Sequence, residues 1–171
     1  IESGKSKIDR IIISSSGCFG ECPVESLSIN SKGEVLFMGA DYSVKKGFYS
    51  SHISSDKFRK ILSDFERINF NDLDNGYYAT HTDDETIDIL FMRNDTIIKT
   101  IEDYGHEAPP EFIWAYLPLR HLSNELAFST RVTKFKKFPI HSISFVEGNK
   151  VGMLTKSEMF LLFTELQKAK T

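Results

Sequence analysis

The strongest constraint in this chain is a change of hydrophobic period that recurs in one order: a pair of strand-like runs, then a helical stripe. Leu27 to Ile29 and Val35 to Met38 alternate or run apolar around Asn30-Ser31-Lys32-Gly33, the composition of a hairpin loop. Behind them Phe58, Ile61, Leu62, Phe65 and Ile68 fall on one helical stripe, with Ser54 or Ser55 as its cap. The order returns at Ile87, Ile89 and Phe91, which turn at Asn94-Asp95 into Thr96 to Ile101. Pro109 and Pro110 then suit a helix start, with Phe112, Ile113, Tyr116 and Leu117 as the apolar face. Pro118 should break or kink that helix before Leu119 to Phe128 resumes, giving two short helices. The third unit is a strand over Ile140 to Val146, a tight turn at Glu147-Gly148-Asn149-Lys150 and a return over Val151 to Leu154. Thr155 and Glu158 make a capping box, with Leu154 and Met159 as the staple across it, and Met159, Leu162, Phe163 and Leu166 line the buried face.

Three hairpin-then-helix units predict an α+β fold, an antiparallel sheet built from β-hairpins with helices packed on one face. The units share order but no residue-level repeat, so no duplication is inferred. The opposite sheet face then stays open. If it carries part of the complement of 14 phenylalanines, it should be covered by another protein, a small ligand or a second copy.

A chain of 171 residues suits one domain, read here as 8–171 behind a polar linker at 1–7, and by size scaling it buries about 70% of its unfolded surface. It needs neither metal nor disulfide merely to fold, and no cofactor is implied. Net charge is -3 with Lys and Arg mixed among Asp and Glu, which leaves no basic footprint for nucleic acid or anionic lipid. No stretch approaches the roughly 18 to 20 apolar residues of a transmembrane segment. The small, polar start from Ile1 to Lys7 fits a domain tethered behind a removed export signal, hence a cell-envelope, periplasmic or secreted setting, with a cytoplasmic one as the alternative.

Both cysteines lie in Gly17-Cys18-Phe19-Gly20-Glu21-Cys22-Pro23. Gly17 and Gly20 tolerate positive φ, and Pro23 keeps Cys22 out of the helical region, so the segment reads as a tight turn. A Cys18–Cys22 bridge would close a ring so small that it stabilises the fold by only about 2 kcal/mol. A thioredoxin-type site wants two intervening residues at a helix mouth, and here there are three with proline after. Structural zinc wants a second close pair of ligands, which His52, His81, His106, His121 and His141 do not form. A structural bridge is the favoured reading, a redox pair or metal ligands the alternatives.

Cys18-Phe19-Gly20-Glu21-Cys22-Pro23, followed by Leu27-Ser28-Ile29 and Gly33-Glu34-Val35, resembles an uncharacterised bacterial domain family marked by a Cys-x-Gly-x-Cys-Pro turn before a β-hairpin. Gly39, Gly47, Thr82-Asp83 with Thr86 to Ile89, and Asp103-Tyr104 extend the likeness. It covers roughly Ile8 to Leu122 and leaves 123–171 as a C-terminal hairpin-plus-helix extension. Where that family commonly continues Cys-Pro-x-Tyr, this chain has Val24, Glu25 and Ser26. The resemblance implies a domain of unknown function, often in proteins exported to the cell envelope, with no established active site to carry over.

A second constellation is His81-Thr82-Asp83-Asp84-Glu85, with Asp88 on the next strand and His106-Glu107 beyond the second hairpin. Carboxylates beside a histidine can hold a hard cation or act as acid and base, yet the spacing lacks the alternating ligands and bend glycine of a calcium loop. A solvated acidic loop is the plainer reading. Ser14-Ser15-Ser16 lacks the flanking glycines of a nucleophile elbow. Trp114 with Phe112 and Tyr116 is read as helical core packing, with sugar or peptide stacking as the other option. The function expected is therefore non-catalytic: an envelope or secreted domain that binds a protein or small ligand through its sheet face and nearby loops. The alternative is a thiol-redox or metal-binding protein acting through Cys18 and Cys22.

Overall fold

The computed structural model describes residues 8–131 and 142–169, so the linker at 1–7 and the start of the third hairpin at Ile140 lie outside the described residues. The architecture is α+β, organised on a large mixed sheet. In chain order the strands are β1 (Arg10–Ser15), β2 (Glu25–Asn30), β3 (Glu34–Gly39), β4 (Gly47–His52), β5 (Gly76–Tyr78), β6 (Thr86–Arg93), β7 (Thr96–Tyr104), β8 (Ser129–Thr130), β9 (Ser144–Glu147) and β10 (Lys150–Met153). The helices are α1 (Ser55–Arg67), α2 (Pro110–Arg120), the single turn α3 (Leu122–Glu125) and α4 (Lys156–Lys168), with a 3-10 turn at Phe70–Asp72. The sheet order is β5-β7-β6-β1-β2-β3-β4-β8, antiparallel except where β5 runs beside β7. The β9–β10 hairpin stands apart as its own sheet.

Local chemistry explains the predicted hairpins. In the β2–β3 loop the Asn30 side chain accepts from the Lys32 and Glu34 amides, and Gly33 sits at φ 82 with the Ile53 carbonyl where a Cβ would point. Asn94 and Asp95 both take left-handed φ, 49 and 58, the backbone of a two-residue turn between twisted strands. Ser54 caps α1 through the Lys57 amide, and Thr155 and Glu158 form the full capping box of α4. Pro118 does not break its helix. Pro118 forfeits its own amide bond, but α2 continues through it to Arg120 and the break falls at His121, after which α3 follows.

The main core lies between one sheet face and α1 with α2. Ile11 and Ile13, Ile29, Phe37, and Ile87, Ile89 and Phe91 meet Phe58, Ile61, Phe65, Phe112 and Tyr116. Phe91 stacks on Phe70 at 4.2 Å between ring centroids and takes Phe65 edge-on at 5.1 Å.

Helices on one face is the part of the architecture that needs correcting. Ile12, Leu90 and Met92 point the other way, and there Phe160 and Phe163 of α4 pack on them together with Leu36, Met38 and Phe48. The face expected to be open to a partner is thus covered by the chain's own C-terminal helix. The buried stripe of that helix is also rotated from the predicted one. Ser157, Met159, Phe160, Phe163 and Thr164 are buried, while Leu162 and Leu166 are 39% and 46% exposed. The cause is polar. Asp88 on β6 accepts from the Ser157 amide at 2.9 Å and from the Ser157 hydroxyl, and that hydroxyl also reaches Ser14, which in turn donates to Ser26. Pinning Ser157 to the sheet brings the row Ser157, Phe160 and Thr164 inward.

Candidate functional site

The strand directions bring the connections β1–β2, β3–β4, β5–β6 and β7–α2 to one end of the sheet. Both sequence-predicted constellations lie there. Cys18 and Cys22 are joined, with S–S 1.96 Å and Cα–Cα 5.5 Å, so neither offers a thiolate to a metal or a substrate in this state. The Gly20 amide donates to the Cys18 carbonyl inside the ring, and Phe19 stands at its tip, 89% exposed. Gly17 and Gly20 do not use positive φ, and ordinary contacts are all that an added Cβ would meet, so the bridge itself holds the bend. The turn is tied down on both flanks. The Ser15 hydroxyl donates to the Pro23 carbonyl at 2.6 Å, the Val24 amide donates to Asp41 at 2.9 Å, and Ser16 exchanges two hydrogen bonds with Thr86. Ser14, Ser15 and Ser16 therefore all serve architecture.

The same ring touches the acidic loop, since the Phe19 amide donates to the Asp83 carbonyl at 3.3 Å. Asp83 itself is held at φ 75. His81 Nε2 lies 3.2 Å from Asp84, whose carboxyl is held below its ordinary range by that contact and by the Glu85 amide. Glu85 turns inward onto Arg120 at 2.6 Å; burial pushes its pKa up, against the pull of Arg120 and His106. His81, Asp83, Asp84 and Glu85 thus do not converge on one point. Among the described residues no group of three or more His, Cys, Asp or Glu side chains is arranged to hold a metal ion.

Sequence reasoning missed a third component. Gly105 and His106 both take left-handed φ, 74 and 59, and the bend swings the imidazole back over α2. His106 Nδ1 lies 2.8 Å from the Tyr116 hydroxyl, and that hydroxyl lies 2.8 Å from Asp103, which is fully buried and also accepts from the Ala108 amide. The Tyr116 hydroxyl has one proton, which goes to the carboxylate, so Nδ1 must carry its own and donate. The arrangement makes Nδ1 the donor and leaves Nε2 toward Glu85, 3.7 Å away. Burial, then the Asp103 charge, pushes the Tyr116 phenol far up. The signal was present in the sequence: Asp103 follows Ile101 on the core-facing side of β7, and a carboxylate continuing an apolar strand face needs a buried partner.

Residues 9–123 match the family described as Domain of unknown function (DUF6438). The chain belongs to the DUF6438 family. In this DUF6438 domain the matched stretch contains the disulfide ring, the acidic loop and the Asp103–Tyr116–His106 chain, and it leaves β8, β9, β10 and α4 outside. Comparison with the curated proteins finds none that matches. The end of the DUF6438 sheet also carries exposed apolar tips on two loops, Phe19 on the ring and Tyr42 with Val44 on β3–β4, whereas the Tyr78 ring folds back along β5 over Gly76. Tyr42, like Asp83 and His106, holds positive φ without being glycine, a conformation that persists only where the surroundings enforce it.

Proposed function

We propose that this chain is a non-catalytic recognition domain of an oxidising, extracytoplasmic compartment, and that the loop end of its sheet is the surface that binds a partner protein or small ligand. The observation that carries the reading is the presentation of Phe19 on a disulfide-closed ring at the same end of the sheet as the exposed Tyr42 and Val44. Rigid aromatic tips bind at low entropic cost, and a covalently closed turn lowers that cost further. The ionisable groups nearby support binding over catalysis because they are spent on one another: His81 on Asp84, Glu85 on Arg120, His106 on Tyr116. A half-buried bridge of this kind persists in the cell envelope or outside the cell, whereas the cytosol keeps such pairs reduced.

The test is a heteronuclear NMR screen of the folded chain against defined peptide and small-molecule mixtures. The expected result is shift changes centred on Phe19, Tyr42 and Val44, removed by Phe19→Ser. Changes that map elsewhere and survive that substitution would overturn the assignment. Thiol labelling of native, unreduced protein separates the alternative, in which Cys18 and Cys22 act chemically: ready labelling of both would favour the redox or metal reading.

A further inference from the structure

Trp114 breaks the rule its helix otherwise follows. Its neighbours Phe112 and Tyr116 are fully buried, as the apolar stripe predicts, but Trp114 is 68% exposed. It lines a groove of about 550 Å³ between the end of α1 and the start of α2, within the size range of small-ligand sites. Phe112 and Leu73 also line it, together with Asp64 and Arg67 from α1 and Glu111 from α2. Asp64 and Arg67 are paired at 2.6 Å.

The lining restricts the ligand chemistry. An indole face left in water is an apolar platform, and the side chains around it offer both carboxylate acceptors and guanidinium donors. An anionic ligand would meet Asp64 and Glu111, and a cationic one would have to compete for Asp64 with Arg67, which already holds it. A purely apolar ligand would strip water from all three charges and return no hydrogen bonds. A neutral ring with one C–H face and a periphery of hydroxyls uses every one of these groups: the face stacks on Trp114, and the hydroxyls donate to Asp64 and Glu111 and accept from Arg67. We propose that the groove between α1 and α2 is a carbohydrate-binding site, with Trp114 as its platform and Asp64, Arg67 and Glu111 as its hydroxyl partners. The site is separate from the loop end of the sheet, and its fate does not depend on that reading.

Trp114 is the single tryptophan of the chain, so indole emission reports on this groove alone. The experiment is a fluorescence titration of the whole folded chain with neutral gluco-, manno-, galacto- and N-acetylglucosamine oligosaccharides. A saturable emission change for at least one sugar series, with Kd between about 10 μM and 5 mM, is the expected result. Calorimetric binding of that sugar should be lost in Trp114→Ala and weakened at least about fivefold in Glu111→Gln, the loss of one charge-assisted hydrogen bond. Phe19→Ser should leave it unchanged. Both groove residues are solvent-facing, so melting temperature should hold in the variants and report on folding independently. Either no saturable response to any series up to about 50 mM or binding that survives Trp114→Ala would overturn the proposal.

Discussion

Asp88 is a carboxylate with almost no access to water, and burial pushes its pKa up to about 7 despite the hydrogen bonds from Ser157 that favour its charge. Glu102, on the neighbouring strand, adds to the upward push. Because the folded-state value lies above the ordinary one near 4, the group stabilises the fold most when protonated. That contribution is present below about pH 4 and is lost as pH rises toward 7, by at most about 1.4 kcal/mol per pH unit. Thermal melts from pH 4 to 8 should therefore show Asp88→Asn with a flatter profile than the parent chain; identical slopes would mean the carboxyl does not change protonation on folding. Tyr116→Phe makes a second residue-level prediction. It strips Asp103 of its phenolic donor and His106 of the acceptor for its Nδ1 proton, so urea denaturation should show a loss of about 1–3 kcal/mol. At this scale the sequence was legible where partners are neighbours, as in the Thr155–Glu158 box, and silent where they are distant: nothing local says that Ser157 will lie on Asp88.

Among the elements, the disulfide ring and the acidic loop form one mechanical unit, since the Phe19 amide and both Ser16 bonds cross between them. Replacing Cys18 and Cys22 together by serine should lower stability by about 2 kcal/mol while unfolding stays cooperative. Amide exchange in the same variant should accelerate at Asp83 to Thr86 and leave β2 and β3 unchanged. The hairpins β2–β3 and β6–β7 could be read directly because their turn residues and apolar alternation agree. β4 could not. Its sequence Gly-Phe-Tyr-Ser-Ser-His is short and half-polar, and it earns its place through Phe48 on one face, against Phe163 at 5.4 Å, and Tyr49 on the other, against Phe37 at 6.3 Å. For α4 the apolar count favoured Leu162 and Leu166, and a polar contact to the sheet decided otherwise.

At the scale of the whole molecule, the layer order turns on β1 and β6. Ile11, Ile12 and Ile13 are consecutive and all buried, as are Ile89, Leu90, Phe91 and Met92. A continuous apolar run is what a strand covered on both faces looks like, and weighed that way it announces a second helical layer. Sheet order stayed illegible because it joins β1 to β6 across most of the matched stretch, a pairing with no local signature. The helix completing the second layer lies outside residues 9–123. A chain ending at Arg131 should therefore expose Ile12, Leu90, Met92 and Phe48, bind a hydrophobic dye and sediment as dimers or larger species; a monodisperse monomer with unchanged melting temperature would show that α4 is dispensable.

The anchoring of α4 through Asp88 and Ser157 has a consequence for how this surface can diverge. A rod held by grease alone can roll or slip by a turn whenever its outer side chains change; one keyed at its tip by a directional lock cannot. Leu162 and Leu166 are therefore free to be rewritten, even to charged groups, without unseating the rod beneath them.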